Sequence, residues 1–288
     1  MLARARLVGW VGFIFLSTIA IAGCGGHRDE DSHLLWHTGA GTLRGHEDIT
    51  RFAVDIANQR LGGRDDIGYE PVPSGVHGPI SFHPLIKGNF ESDFPTSEMR
   101  QAYGATPETD WHNDGALQHV HALRNRPAGG IATNLETCQS VGGAIGQALN
   151  RAATYLPNGD RYHYHYWIGH ALHILQDSYS PAHVLRAGVE GQIVDGFCTY
   201  GVRTKGICYH HEVDPRDRVW RADSLRCTFD SDQRDWDCLV PAAQYAAVAS
   251  ADLLTELGQR LVTSEPLESV VSRVLMRRLN CEEVRTKN

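Results

Sequence analysis

WIGHALHILQDSYSPAH, residues 167–183, carries His170, His173 and Asp177 at steps of three and four. On a helix such residues share a face, so one face bears two imidazoles and a carboxylate. The opposite face bears Ile168, Ala171, Leu172 and Leu175, the apolar set that a packed helix needs. Pro181 cannot continue the helix. The chain turns there, and His183 can fold back towards the same face. Imidazole and carboxylate are ligands suited to zinc. A lone His/Asp pair four apart is more often a surface ion pair. Here, however, the polar groups recur on a face that reads as buried, and burying them without partners or a metal would be costly.

Outward from this stretch, the totals are those of an ordinary globular chain. Of 288 residues, 21% are charged and 42% hydrophobic, enough for one large domain or two small ones. A formal net charge of -7 gives no general attraction to nucleic acid. Sixteen histidines are many, and favour metal chemistry or pH sensing. The chain opens with the basic leader MLARAR and a mostly apolar run, Leu7 to Ala22. Ile21-Ala22-Gly23-Cys24 then resembles a bacterial lipoprotein signal, with cleavage before Cys24 and a lipid on its thiol. The expected organisation is a signal peptide over 1–23, a polar tether over 24–35 and one domain over 36–288. Export leaves six further cysteines for an oxidising compartment. Cys198–Cys208 and Cys227–Cys238 are candidate loop-closing pairs, which would leave Cys138 with Cys281, although six cysteines allow fifteen pairings.

Helical spacing recurs along the domain. HEDITRFAVDIANQRL, from His46, places Ile49, Phe52, Ala53, Ile56 and Leu61 on one side, with Glu47 and Asp48 in the first turn. Residues 64–92 read as loop with a short helix, and Asp93 falls where loop meets helix, before Phe94-Pro95. Further helices are expected at 115–125, 134–156, 161–180, 241–262 and 266–279. Residues 186–240 show little regular structure, and nowhere is there an alternating strand pattern of any length. The expected fold is therefore all-α, one domain packed around a buried metal site. His119 and His121 are two apart, so at most one faces that site. His210 and Asp214, four apart in YHHEVD, form a second candidate pair.

The run His173, Asp177, Pro181, His183 resembles the zinc-binding segment of the bacterial zinc-dependent phospholipase C family, whose fold the fungal single-strand nucleases share. That pattern is His, Asp four later and His six later, with Pro two before the last His. The likeness is close over 167–183 and loose over Trp36 to Leu279. It implies three zinc ions. One set would be Asp93, His121, His173 and Asp177; another His183, His210 and Asp214; a third Trp36, His46 and Asp177, with Asp177 as the bridge. His112 and His119 stay open as alternatives to His121. His170 has no counterpart in the pattern and is expected to pack or to support a ligand. The family binds metal through the free amine of a mature N-terminal Trp, whereas Trp36 lies twelve residues beyond Cys24. A lipid anchor at Cys24 and a free Trp36 amine exclude one another on one molecule.

The implied activity is hydrolysis of phosphatidylcholine-type phospholipids, by zinc-bound hydroxide, to diacylglycerol and a phosphorylated head group, with Asp93 as a candidate general base. A phospholipid surface is the expected partner, and nucleic acid is not; a monomer is expected. The chain ends soon after its last expected helix, leaving lipid contact to this domain or to Cys24. Two rivals stand beside this reading. One is a single-strand nuclease on the same fold, which the HxxxD form of His210/Asp214 resembles. The other is a non-catalytic zinc-binding lipoprotein.

Overall fold

A glycine contact between two helices determines where the polar groups of residues 167–183 point. In the computed structural model, which describes residues 45–73, 81–128, 130–188, 191–210, 216, 218–219 and 236–284, the chain is mostly helical. Helix α1 spans Gly45–Arg60, α2 Pro84–Asp93 and α3 Ser97–Ala102, followed by a 3-10 turn at Gln118–His121. Helix α4 spans Asn134–Ala153 and α5 Arg161–Asp177. After the short strands β1 (Val184–Ala187), β2 (Ile193–Phe197), β3 (Thr199–Tyr200) and β4 (Tyr209–His210) come α6 (Pro241–Thr263), α7 (Leu267–Arg278) and α8 (Cys281–Val284).

Helix α5 starts at Asp160, whose side chain accepts from the His163 amide. It is buried at every position from Tyr166 to Asp177. The expectation of one packed and one site-facing side is thus corrected: α2 and α4 pack on it, and α6 and α1 close the remainder. A Cβ on Gly169 would lie 2.2 Å from the Leu85 carbonyl oxygen, and one on Gly88 1.8 Å from that of Tyr166. Only glycine lets α2 and α5 touch backbone to backbone, and this contact sets Asn89 and Asp93 against His173. Trp167, Ile168, Leu172 and Leu175 are wholly buried, each stabilising the packing by roughly 1.5–3 kcal/mol. Helix α4 is started by a reciprocal cap between Thr133 and Glu136.

The strands are a second correction. β1 and β2 pair antiparallel, Val184 opposite Phe197 and Ala187 opposite Ile193, with an irregularity at Leu185/Arg186. β3 and β4 pair parallel over two residues each. Runs this short, one with a bulge, carry too little alternation to register as strands. Arg186 docks the hairpin. It donates to the carbonyls of Ser178, which caps α5, and Arg278, which ends α7, where helix dipoles favour a cation. Its guanidinium lies 3.9 Å from the Tyr179 ring centre.

Cys138–Cys281 and Cys198–Cys208 are disulfides, as expected. Cys238 is also disulfide-bonded; Cys227 lies outside the described residues, as do the signal segment and Cys24. Such crosslinks fit an oxidising compartment. Among the described residues no helix is long and apolar enough to cross a membrane.

Candidate metal centre

Five elements meet at the C-terminal half of α5. Helix α5 supplies His173 and Asp177, α1 supplies His46 from its first turn, and α2 supplies Asp93 as its last residue. The 3-10 turn supplies His121. Past α5, Ser180 accepts from the His183 amide, and this turn around Pro181 returns His183 to the site. His210, on β4, lies beside His183 with ring centres 4.5 Å apart and the rings tilted.

The two oxygens of Asp177 face different partners. Oδ1 lies 3.1 Å from His46 Nε2. Oδ2 lies 3.2 Å from His173 Nε2, 3.5 Å from His121 Nδ1 and 3.7 Å from His183 Nδ1. Asp93 Oδ1 is 3.4 Å from His173 Nε2 and 3.7 Å from His121 Nδ1. His46, His173 and Asp177, and likewise Asp93, His121 and His173, bring ligand atoms within 4.8 Å of one another. Either group could hold a metal ion. Among the described residues, buried His173 Nε2 and Asp177 Oδ2 find no hydrogen-bond partner, although the two lie 3.2 Å apart. Atoms left in this way are normally explained by an ion or a water, and nitrogen and oxygen converging from separate elements is the donor set that zinc takes.

The electrostatics agree. Burial would raise the Asp177 carboxyl, but His173 and His183 hold it well below the usual carboxylate range. Asp93 is likewise held down against burial, first by His173. Burial opposes charge on His173, yet Asp177 and Asp93 raise it to about 10. His121 is pushed down to about 4, foremost by burial, against the pull of Asp177. The pocket thus keeps two carboxylates ionised and draws positive charge between them. Asp93 is the more open of the two, its side chain 18% exposed against 3% for Asp177.

The three candidate histidines before α4 separate clearly. His121 is buried and faces both carboxylates. His119 points away, held by the Ala116 carbonyl and Asn125 Oδ1. His112 is exposed, donates from Nε2 to the Asp93 carbonyl at 2.7 Å and stacks on His121. His170 is buried and satisfied by Ser92 Oγ at 2.6 Å and Tyr103 OH at 2.9 Å. Its charge is suppressed by burial and then by His173. Trp36 and Asp214 lie outside the described residues. Sequence reasoning missed the buried amides behind the ligands: Gln176 Oε1 lies 2.8 Å from His46 Nδ1, and Asn89 Oδ1 3.4 Å from His173 Nδ1. The available signal for Gln176 was an uncharged amide between Leu175 and Asp177, one turn from His173. Compared with protein-family models, curated proteins and solved structures, the chain matches none.

Proposed function

We propose that the chain is a zinc-dependent phosphodiester hydrolase of phospholipase C type, acting on phosphatidylcholine-type lipids after export. The observation that carries this reading is the division of Asp177 between His46 on one oxygen and His121 and His173 on the other. A carboxylate so placed suits a bridge between two ions. In this reading Asp93, His121, His173 and Asp177 hold one zinc, and His46 with Trp36 and Asp177 hold another. His183, His210 and Asp214 hold the third. When bound, zinc lowers the pKa of a coordinated water to about 7 and neutralises phosphodiester oxygens.

The residues supply the rest. Asp93 is ionised and stands at the more open edge, so it can orient or accept a proton from water entering there. Its backbone carbonyl is tied to His112, which steadies that edge. Phe94 follows it, 58% exposed and stacked on Phe90 with ring centres 4.9 Å apart. This apolar surface next to the carboxylates suits a lipid. The same aromatic pair favours a second reading, a single-strand nuclease, because bases stack on such rings. The net charge of -7 weighs against it.

The test is hydrolysis by the zinc-loaded protein of phosphatidylcholine micelles and of single-stranded DNA, side by side, with His173→Ala as control. Lipid cleavage lost in the variant is expected. DNA cleavage alone would transfer the assignment to a nuclease, and full activity in His173→Ala would remove the site from either reaction.

A further inference from the structure

We infer that Gln176 is the positioning residue of this centre: one buried amide determines which ring nitrogen both His46 and His173 present to the pocket. The geometry stands by itself, and its consequence for metal binding rests on the reading just given. Gln176 Oε1 is 2.8 Å from His46 Nδ1. An amide oxygen only accepts, so Nδ1 carries the proton. Nε2, 3.1 Å from Asp177 Oδ1, is the nitrogen turned to the site. The same Oε1 accepts from Asn89 Nδ2 at 3.2 Å, and Thr50 Oγ1 accepts from that Nδ2 at 3.2 Å. The Asn89 amide is therefore oriented with Oδ1 towards His173 Nδ1, 3.4 Å away. His173 then also donates from Nδ1 and aims Nε2 at Asp93 and Asp177.

Gln176 is itself held. Its Nε2 donates to Thr50 Oγ1 at 2.9 Å and Ser250 Oγ at 3.4 Å. Flipping it alone would set its NH2 against that of Asn89, donor to donor. Thr50, Asn89, Gln176 and Ser250 are all fully buried, so water cannot replace a lost partner. These four residues come from α1, α2, α5 and α6, and the network therefore also fixes α1 and α2 against α5 at the level of the ligands. Partners of this kind set the tautomer of a ligating imidazole, and their loss typically costs roughly 10–100-fold in metal affinity.

The full chain is tested with Gln176→Leu, similar in size but without an acceptor, and with Asn89→Ala. Ring-nitrogen NMR shifts of His46 in metal-free protein at mildly alkaline pH report its tautomer. Competition for Zn2+ against a chelator reports affinity. The expected wild-type signature is a proton on His46 Nδ1. Gln176→Leu should lose that signature and bind zinc roughly 10–100-fold more weakly. Asn89→Ala should weaken zinc, because His173 Nδ1 loses its acceptor. A wild-type His46 protonated at Nε2 but not at Nδ1, or a folded Gln176→Leu with unchanged ring shifts and zinc affinity, overturns the inference. If Gln176→Leu fails to fold, the wild-type signature and Asn89→Ala decide. If the wild type takes up no zinc, the metal reading falls, and the His46 signature still decides the role of Gln176.

Discussion

The ligands of the candidate centre arrive by two routes. His46, Asp93, His173 and Asp177 stand on α1, α2 and α5, helices locked by core packing and by the Gly88 and Gly169 contacts. His183 and His210 stand on the segment after α5, which holds strands of two to five residues and the Cys198–Cys208 crosslink. On the first route a ligand is placed by many apolar contacts, none of which is specific to the site. On the second it is placed by a few tethers: the Pro181 turn, Arg186 at two helix ends, and a disulfide. The helical half should therefore fail only when a ligand or its buried partner is changed. The tethered half should fail when a remote tether is cut.

The largest effect is expected at Asp177. Asp177→Asn keeps the size but removes the charge that His46, His121, His173 and His183 share. Its zinc affinity and phosphodiester hydrolysis should fall by at least ~100-fold, the upper end of the loss from merely supporting groups. Stripping zinc from the wild type should lower its melting temperature, since ligand at a thousandfold excess over its Kd stabilises by roughly 4 kcal/mol per site. In Asp177→Asn the chelator should shift the melt far less. An equal shift in both proteins would separate the metal from Asp177.

The two routes also differ in how well they can be read from sequence. His173, Asp177, Pro181 and His183 were visible because helix period and proline chemistry are local. The helices α1, α4, α5, α6 and α7 follow from apolar spacing to within a few residues, with α5 ending at Asp177 rather than Ser180. That α5 is buried all round from Tyr166 was not visible, because His170 and Gln176 are satisfied by distant residues whose approach no local pattern encodes. The hairpin was missed for a related reason: β1 and β2 are held by Arg186 and by each other, and their few residues hardly alternate. In the sequence only the resemblance favours His121 over His112 and His119; the 3-10 turn directs its ring to the carboxylates and the ring of His119 away from them.

Cutting the disulfides should separate the two routes again. Cys138–Cys281 closes a separation of 143 residues and ties α4 to α8, neither of which carries a candidate ligand. In the chain-entropy picture its removal by Cys138→Ser/Cys281→Ser costs roughly 5 kcal/mol of stability. The fraction that stays folded should keep wild-type zinc affinity. Cys198–Cys208 closes ten residues, so its removal costs only about 3 kcal/mol. It lies, however, next to the β3–β4 pairing that carries His210. Cys198→Ser/Cys208→Ser should therefore lose zinc stoichiometry or activity while remaining the more stable of the two variants. Denaturant melts alongside zinc titration check this. Equal zinc binding in both variants would show that the crosslink does not place His210.

The smallest effect expected lies at the edge of the site. His112 donates one hydrogen bond to the Asp93 carbonyl and stacks on His121, with ring centres 5.0 Å apart, but it is exposed. A single such bond is worth about 1 kcal/mol, so His112→Ala should weaken zinc by roughly fivefold. His119 makes its bonds to Ala116 and Asn125, away from the carboxylates. His119→Ala should leave zinc affinity within about twofold and cost only the stability of those contacts, again about 1 kcal/mol. His121→Ala should fall with Asp177→Asn, because its Nδ1 faces Asp93 and Asp177 together. The three variants form a graded series read by one chelator competition. If His119→Ala weakened zinc more than His121→Ala, the 3-10 turn would present the other ring, and the set of Asp93, His173 and Asp177 would take His119 in place of His121.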